Sequence, residues 1–169
     1  MAEQETRQRQ LNLTKIYIKD MSFESPNSPV IFTMGDVNPK TNMNLRSAHT
    51  GSQNDVHEVV LTITIETKHE DKTLFLIELQ QAGLFHITGY SAQELDAIVG
   101  SFCPNTLFPY AREVISGVIS KGGFPEFLLQ PINFDALYAE SKRKAQEQAQ
   151  AQQPAPPAAG GNGGDGSSH

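Results

Sequence analysis

VHEVVLTITIETKHEDKTLFLIELQQAGLFHITG, residues 56–89, is the stretch on which the fold turns. Val59, Leu61, Ile63 and Ile65 alternate with Thr62, Thr64 and Glu66. That is the period of two that sends successive side chains to opposite faces of a strand. KHEDK (68–72) reads as a polar turn, and residues 73–89 return as a second long strand. Two long strands joined by so short a turn predict an antiparallel hairpin. Gly83, inside the second strand, predicts a bulge or a close backbone approach. Leu74, Leu76 and Leu84 lie on one face of that strand and Phe75, Ile77 and Leu79 on the other. A sheet buried on one side alternates more cleanly than this.

N-terminal to the hairpin, LNLTKIYIKDMSFES (11–25) is rich in β-branched and aromatic residues and reads as a strand. Strict alternation places Tyr17, Lys19, Met21 and Phe23 on one face, and Ile16, Ile18, Asp20, Ser22 and Glu24 on the other. Residues 26–41, with Pro26, Pro29, Gly35 and Pro39, form a long connection, because proline removes ladder donors. MNLRSAHT (43–50) is a short strand candidate.

C-terminal to the hairpin the periodicity becomes helical. Ser91 and Glu94 are spaced as a capping box. Leu95, Ile98, Val99 and Phe102 then form one stripe. Pro104 is expected to end that helix, with Asn105 or Thr106 capping the next and Pro109 in its first turn. Ala111, Val114, Ile115, Val118 and Ile119 make the second stripe, and Gly122-Gly123 is a C-terminal stop. Asn133 is placed to cap a third helix, whose end, SKRKAQEQAQAQQ, has helix propensity but no apolar face. Strands followed by helices predict an α+β fold with the helices on one side of an antiparallel sheet.

Hydrophobic residues make up 38% of the 169, enough for one domain with a modest core. We assign that domain to residues 11–150. Residues 1–10 are polar, and residues 151–169 are Pro/Gly/Ala-rich, so both are expected to be disordered. There is no apolar run of membrane-spanning length and no secretory h-region at the N-terminus. With a single cysteine, the simplest compartment is a reducing cytoplasm. Net charge is −6, and fifteen acidic residues face six basic ones between Asp20 and Glu140. Such a body repels nucleic acid and attracts a basic partner.

Chemistry-bearing motifs are sparse. The glycines match neither Walker nor Rossmann spacing, and neither GxSxG nor HExxH occurs. His57, His69 and His86 lie around the hairpin without metal-ligand spacing. CPNTLFPYARE (103–113) holds Cys103. A nucleophilic cysteine needs a histidine, a cation or a helix N-terminus to lower its pKa. Cys103 is followed by a proline with no N–H to offer, and free cysteine is commonly buried, so packing is the favoured role.

Five stretches, IYIKDMSFESPNSP (16–29), VHEVVLTITIET (56–67), ELQQAGLF (78–85), CPNTLFPYARE (103–113) and GGFPEFLLQPINFDALY (122–138), resemble the SecB family of cytosolic export chaperones. The resemblance runs in order over about residues 11–140. It implies a four-stranded antiparallel sheet with a long crossover loop, helices packed on one side, and a homotetramer built as a dimer of dimers. Ile77, Leu79 and Gln81 are implied at the oligomer interface. The implied function is ATP-independent: holding unfolded preproteins translocation-competent and delivering them to SecA, with no catalysis, cofactor, metal or membrane insertion. The implied client groove holds Val37, Met43, Leu45, Tyr110, Phe134, Leu137 and Tyr138, with Val37 where the family often carries tryptophan. The implied SecA-docking residues are Asp20, Glu24, Leu76 and Glu78. Two alternatives remain open at this point: a SecB-like chaperone dedicated to an antitoxin, and a cysteine-dependent enzyme built on Cys103.

Overall fold

The computed structural model describes residues 8–51 and 53–151. The expected disorder of residues 1–7 and 152–169 therefore lies outside the described residues. Gln8–Gln10, expected to belong to the disordered N-terminus, are tied down. Thr88 Oγ1 donates to the Gln8 carbonyl, and Arg9 pairs with Glu94 at 2.9 Å while lying over the Tyr90 ring.

Four strands make one antiparallel sheet: β1 (Gln10–Glu24), β2 (Lys40–Gly51), β3 (Val56–His69) and β4 (Lys72–Thr88). Their order is β1-β4-β3-β2, so the predicted hairpin β3–β4 is central and both edges are free. His69 pairs with Lys72, leaving a two-residue turn in which Glu70 takes a φ of 53°. The connection from β1 to β2 crosses from one sheet edge to the other, as expected of the 26–41 segment. β2 is longer than the candidate at 43–50, because pairing with β3 orders residues whose own propensity is weak.

β1 departs from strict alternation. The register with β4 slips between Leu13 and Lys15, and again between Ile18 and Asp20. Each slip is a bulge that inserts one extra residue, Thr14 and then Lys19. Tyr17 thereby shares a face with Asp20, Ser22 and Glu24, while Ile16 and Ile18 share the opposite face with Met21 and Phe23. The predicted two-face assignment of β1 is corrected accordingly. The reason is energetic: with two bulges, Leu11, Leu13, Ile16, Ile18, Met21 and Phe23 all turn to the helix side.

The helix side is the core. Val59, Leu61, Ile63, Ile65, Ile77, Leu79 and Phe85 are completely buried there. Above them lies α2 (Cys103–Lys121), which packs on β4 and β3 through Leu107, Ala111, Ile115 and Ile119. Gly83 makes no bulge; it is a close approach. A Cβ on it would sit 2.8 Å from Leu107 Cδ2 and 3.0 Å from Phe85 Cε2.

α1 (Ala92–Ala97) begins with the predicted capping box between Ser91 and Glu94. The expected break at Pro104 does not occur. Residues 98–102 form a π-helical turn, in which the Cys103 N–H donates to the Ile98 carbonyl, and the chain runs on into α2. Proline at 104 lacks an N–H, and its ring conflicts with the carbonyl four residues back, that of Gly100. A widened turn at that point accommodates the ring without ending the helix. Asn105 and Thr106 are therefore not caps, and Thr106 Oγ1 donates to the Phe102 carbonyl. Pro109 lies inside α2 rather than in its first turn, because α2 starts earlier than expected. The C-terminal stop is as predicted: Gly123 adopts a φ of 86° and the Phe124 N–H donates to the Ile119 carbonyl. α3 (Phe134–Ala151) is capped by Asn133, whose Oδ1 accepts from the Ala136 N–H at 3.0 Å.

Candidate functional site

The face of the sheet away from the helices carries an acidic patch. Cross-strand pairing sets Asp20 opposite Gln80, Ser22 opposite Glu78, and Glu24 opposite Leu76. On the other side of β4, Thr64 faces Glu78 and Glu66 faces Leu76. Asp20 and Glu24 therefore flank Glu78 diagonally, at the ~7–8 Å of i, j±2 neighbours, with Leu76 as an apolar contact among them. Asp20 and Glu24 are exposed, and Leu76 and Glu78 half-buried. Among the described residues, none of Asp20, Glu24 and Glu78 forms an ion pair. Glu78 only accepts a long hydrogen bond from Thr64 at 3.3 Å.

Two other carboxylates of this face are paired: Glu66 with Lys68 at 3.1 Å, and Glu58 with Lys19. Glu58 accepts from the Tyr17 hydroxyl and is chelated by Lys19 Nζ at 2.8 and 2.9 Å. The Lys19 and Tyr17 hydrogen bonds hold its carboxyl below the usual range. Burial, reinforced by Glu58, pushes Tyr17 up to about 12. Lys19 can reach Glu58 because it is the bulged residue. Lys19 is thereby engaged with Glu58, and among the described residues Asp20, Glu24 and Glu78 remain without an ion-pair partner.

On the helix side, two clefts open along β2. One, about 460 Å³, lies between β2 and α3 and is lined by Leu45, His49, Asp96, Val99, Leu137 and Tyr138, with Phe134 at its base. The other, about 240 Å³, is lined by Pro39, Thr41, Leu74, Phe75, Phe124 and Phe127. Met43 lies on the same face of β2 between Thr41 and Leu45, and is 47% exposed. Of the seven residues expected in the groove, Leu45, Phe134, Leu137 and Tyr138 meet in the first cleft, and Met43 bridges to the second. Val37 is half-buried against the core, and Tyr110 is exposed on the outer side of α2; neither lines a cleft. The second cleft was missed in part: Phe124 packs on Phe75 (4.8 Å) and Phe32 (5.3 Å), yet no periodicity marks Phe32, Phe124 or Phe127. The available signal was two aromatics flanking Pro125.

A family model described as preprotein translocase subunit SecB matches residues 4–146. The chain belongs to the SecB family. It is 50% identical to the protein-export protein SecB of Methylococcus capsulatus over 148 residues, covering 88% of this chain and 95% of the relative. To that of Hahella chejuensis it is 52% identical over 136 residues, covering 80% and 85%. Among solved structures, its fold is similar to that of a SecB-like chaperone from Mycobacterium tuberculosis, in complex with an antitoxin peptide. The TM-score is 0.61 at 13% identity, covering 72% of this chain and 90% of the other.

The three residues expected at an oligomer interface are internal to the protomer. Ile77 and Leu79 have no exposed surface and Gln81 is 2% exposed, because β4 is a central strand beneath the helices. Gln81 Nε2 donates to the Tyr17 carbonyl at 3.0 Å, inside the bulged segment of β1. In this conformation none of the three presents surface to a second copy. Of the apolar residues on β4, Phe75, Ile77 and Leu79 are buried on the helix side, whereas Leu76 and Leu84 stay half-buried on the open face.

The remaining chemistry-bearing groups are placed as follows. Cys103 is completely buried, and burial alone pushes its thiol up to about 12, the opposite of what a nucleophile needs. Native protein treated with an alkylating agent near pH 8 is expected to react at least ~100-fold more slowly than denatured protein. Cys103→Ser is expected to bind unfolded chains normally, and complete loss of that binding would restore the enzyme alternative. His57 meets His49, with Nε2 of His49 2.9 Å from Nδ1 of His57. Among the described residues, no group of three or more His, Cys, Asp or Glu side chains could hold a metal ion. No described helix is long and apolar enough to cross a membrane.

Proposed function

We propose that this chain is a cytoplasmic, ATP-independent chaperone that holds unfolded preproteins in a translocation-competent state and delivers them to SecA. The observation that carries the reading is the placement of two surfaces on one sheet. An apolar groove runs along the β2 edge on the helix side, and an unneutralised acidic patch occupies the β1–β4 edge of the opposite face. One surface suits an unfolded client and the other a basic acceptor, and neither obstructs the other.

The groove works by general physics. β2 is an edge strand, so the outward N–H and C=O groups of its 12 residues are free to pair with an extended chain. Met43, Leu45, Leu137 and the aromatics of the second cleft supply adaptable apolar contact without strict sequence preference. Binding only the unfolded state draws the client's folding equilibrium away from the native form, with no catalysis, cofactor or nucleotide. Each contact is weak, and a multivalent assembly converts weak contacts into avidity.

The assembly in this reading is a homotetramer, a dimer of dimers. β1 is the second free edge, and its helix side shows Ile18 and Met21 at 47% and 41% exposure. Their exposure supports an interface along this edge, whereas Ile77, Leu79 and Gln81 are buried within the protomer. A chaperone dedicated to an antitoxin needs the groove but not the acidic patch, so the patch favours the export reading.

The test is light scattering of the protein alone, with a permanently unfolded preprotein, and with SecA. Complexes with both are expected, and binding to neither would sink the proposal.

A further inference from the structure

α3 is held to the body by few apolar contacts. Phe134 is its one buried residue, meeting Phe108 edge-on at 5.7 Å. Leu137 is 43% exposed, and beyond Tyr138 every residue to Ala151 is exposed. The rest of the attachment is polar and falls on one short segment, α1 and the π-helical turn. Asp135 accepts from Ser101 Oγ. Asp96 Oδ2 accepts from the Tyr138 hydroxyl at 2.6 Å and pairs with Lys142 Nζ. The Lys142 and then the Tyr138 hydrogen bond hold the Asp96 carboxyl below its usual range. Gly100 lets one edge of the Tyr138 ring come close to this turn; a Cβ there would fall 2.5 Å from Tyr138 Cδ2. Leu137, Tyr138 and Lys142 also form one wall of the cleft of about 460 Å³ whose opposite wall is β2.

We propose that Asp96, with Tyr138 and Lys142, is a polar latch that holds α3 in place as the wall of the groove facing β2, and that release of this latch sets how fast an unfolded chain enters. The inference rests on the groove being the client site. A latch made of hydrogen bonds and an exposed ion pair costs little to open, and it leaves behind solvated groups rather than buried unpaired ones. A helix pinned by apolar packing would not share that property. Salt should weaken the ion pair, since about half of each side chain is exposed to solvent. Asp96 and Lys142 are positioning residues here: they act on α3, and α3 acts on access.

The experiment reads α3 in the free protein and entry of a client separately. Hydrogen exchange of the 134–142 segment is followed in wild type, Asp96→Asn, Gly100→Ala and Lys142→Arg. Association with reduced, carboxymethylated lysozyme, which stays unfolded, is followed by stopped flow. Asp96→Asn is expected to speed both exchange and association by about tenfold. Gly100→Ala opens the latch sterically, so it should speed both without the salt response. In wild type, raising NaCl from about 50 mM to about 500 mM should speed α3 exchange several-fold. Lys142→Arg keeps the positive charge, so α3 exchange should keep its salt response, and loss of that response would overturn the ion pair's part in the latch. Asp96→Cys with Lys142→Cys should behave as open, and should lose association at least tenfold once joined by a bis-maleimide. Cys103, being buried, does not compete for the reagent. Unchanged α3 exchange in Asp96→Asn and Gly100→Ala overturns the latch. Faster exchange with unchanged association, or normal association in the joined protein, overturns its control of entry. If wild type fails to bind the unfolded chain at all, the chaperone reading falls, while exchange in the free protein still judges the latch.

Discussion

Replacing Asp20 by asparagine and Glu78 by glutamine together is expected to weaken binding to SecA about 100-fold at low salt, and to leave unfolded-chain binding unchanged. Both carboxylates lie on the open face, within one diagonal step of each other across β1 and β4, and neither has an ion-pair partner among the described residues. The amides are isosteric, so the strands should keep their pairing; Glu78 gives up only the long hydrogen bond from Thr64. Loss of two charges removes attraction to a basic segment, and the remaining affinity should depend less steeply on salt. The proposed client groove is at the other sheet edge and should not respond. Isothermal titration against SecA and against an unfolded chain separates the two; equal loss of both would mean misfolding or a wrongly assigned surface.

Gly83→Val should cost about 3 kcal/mol, the upper end of what overpacking a core costs. A first carbon at this position already meets Leu107, Phe85 and Leu13 at 2.8 to 3.3 Å, and two of these three neighbours have no exposed surface. Denaturant unfolding of Gly83→Ala, Gly83→Val and each combined with Leu107→Ala would measure it. The combined variants should recover part of the loss, because residues sharing one space couple strongly. Additive losses would show that the close approach of α2 to β4 is not the reason for glycine.

Most of the sheet was legible because its hairpin is self-declaring. The alternation over 59–66 needs no partner to be recognised, and its apolar members are all fully buried. β1 was legible as a strand but not as a face. Its apolar residues at 11, 13, 16, 18, 21 and 23 slip phase twice, which is the mark of two bulges, and strict alternation through 17–24 overlooked both slips. The helix break expected at Pro104 failed for a related reason. Proline forbids one hydrogen bond, but a π-helical turn supplies another, and only the packing of α2 selects that solution.

Of the residues carried by family resemblance, Leu45, Phe134, Leu137 and Tyr138 line the first cleft, and the second cleft was not legible. Phe32, Phe75 and Phe124 come from three segments far apart in sequence and converge only because the crossover and the chain after α2 fold to the same end of the sheet. That Ile77 and Leu79 are buried beneath the helices of their own chain was not legible, because an apolar side chain shows the same letter whether it faces a helix of its own chain or another copy.

What the sequence by itself determined is local: the hairpin, the capping box, the glycine stop, the acidic balance and the family. These depend on period, spacing and charge, which neighbours along the chain are enough to specify. The tertiary structure decided which groups lack a partner. It gave Glu58 a lysine and, among the described residues, left Asp20, Glu24 and Glu78 without one. It buried Cys103 beyond reactivity, and it set Tyr138 and Lys142 on Asp96. Pairing is a property of three-dimensional proximity between distant segments, and in this fold the unpaired and the weakly paired groups are those that point to function.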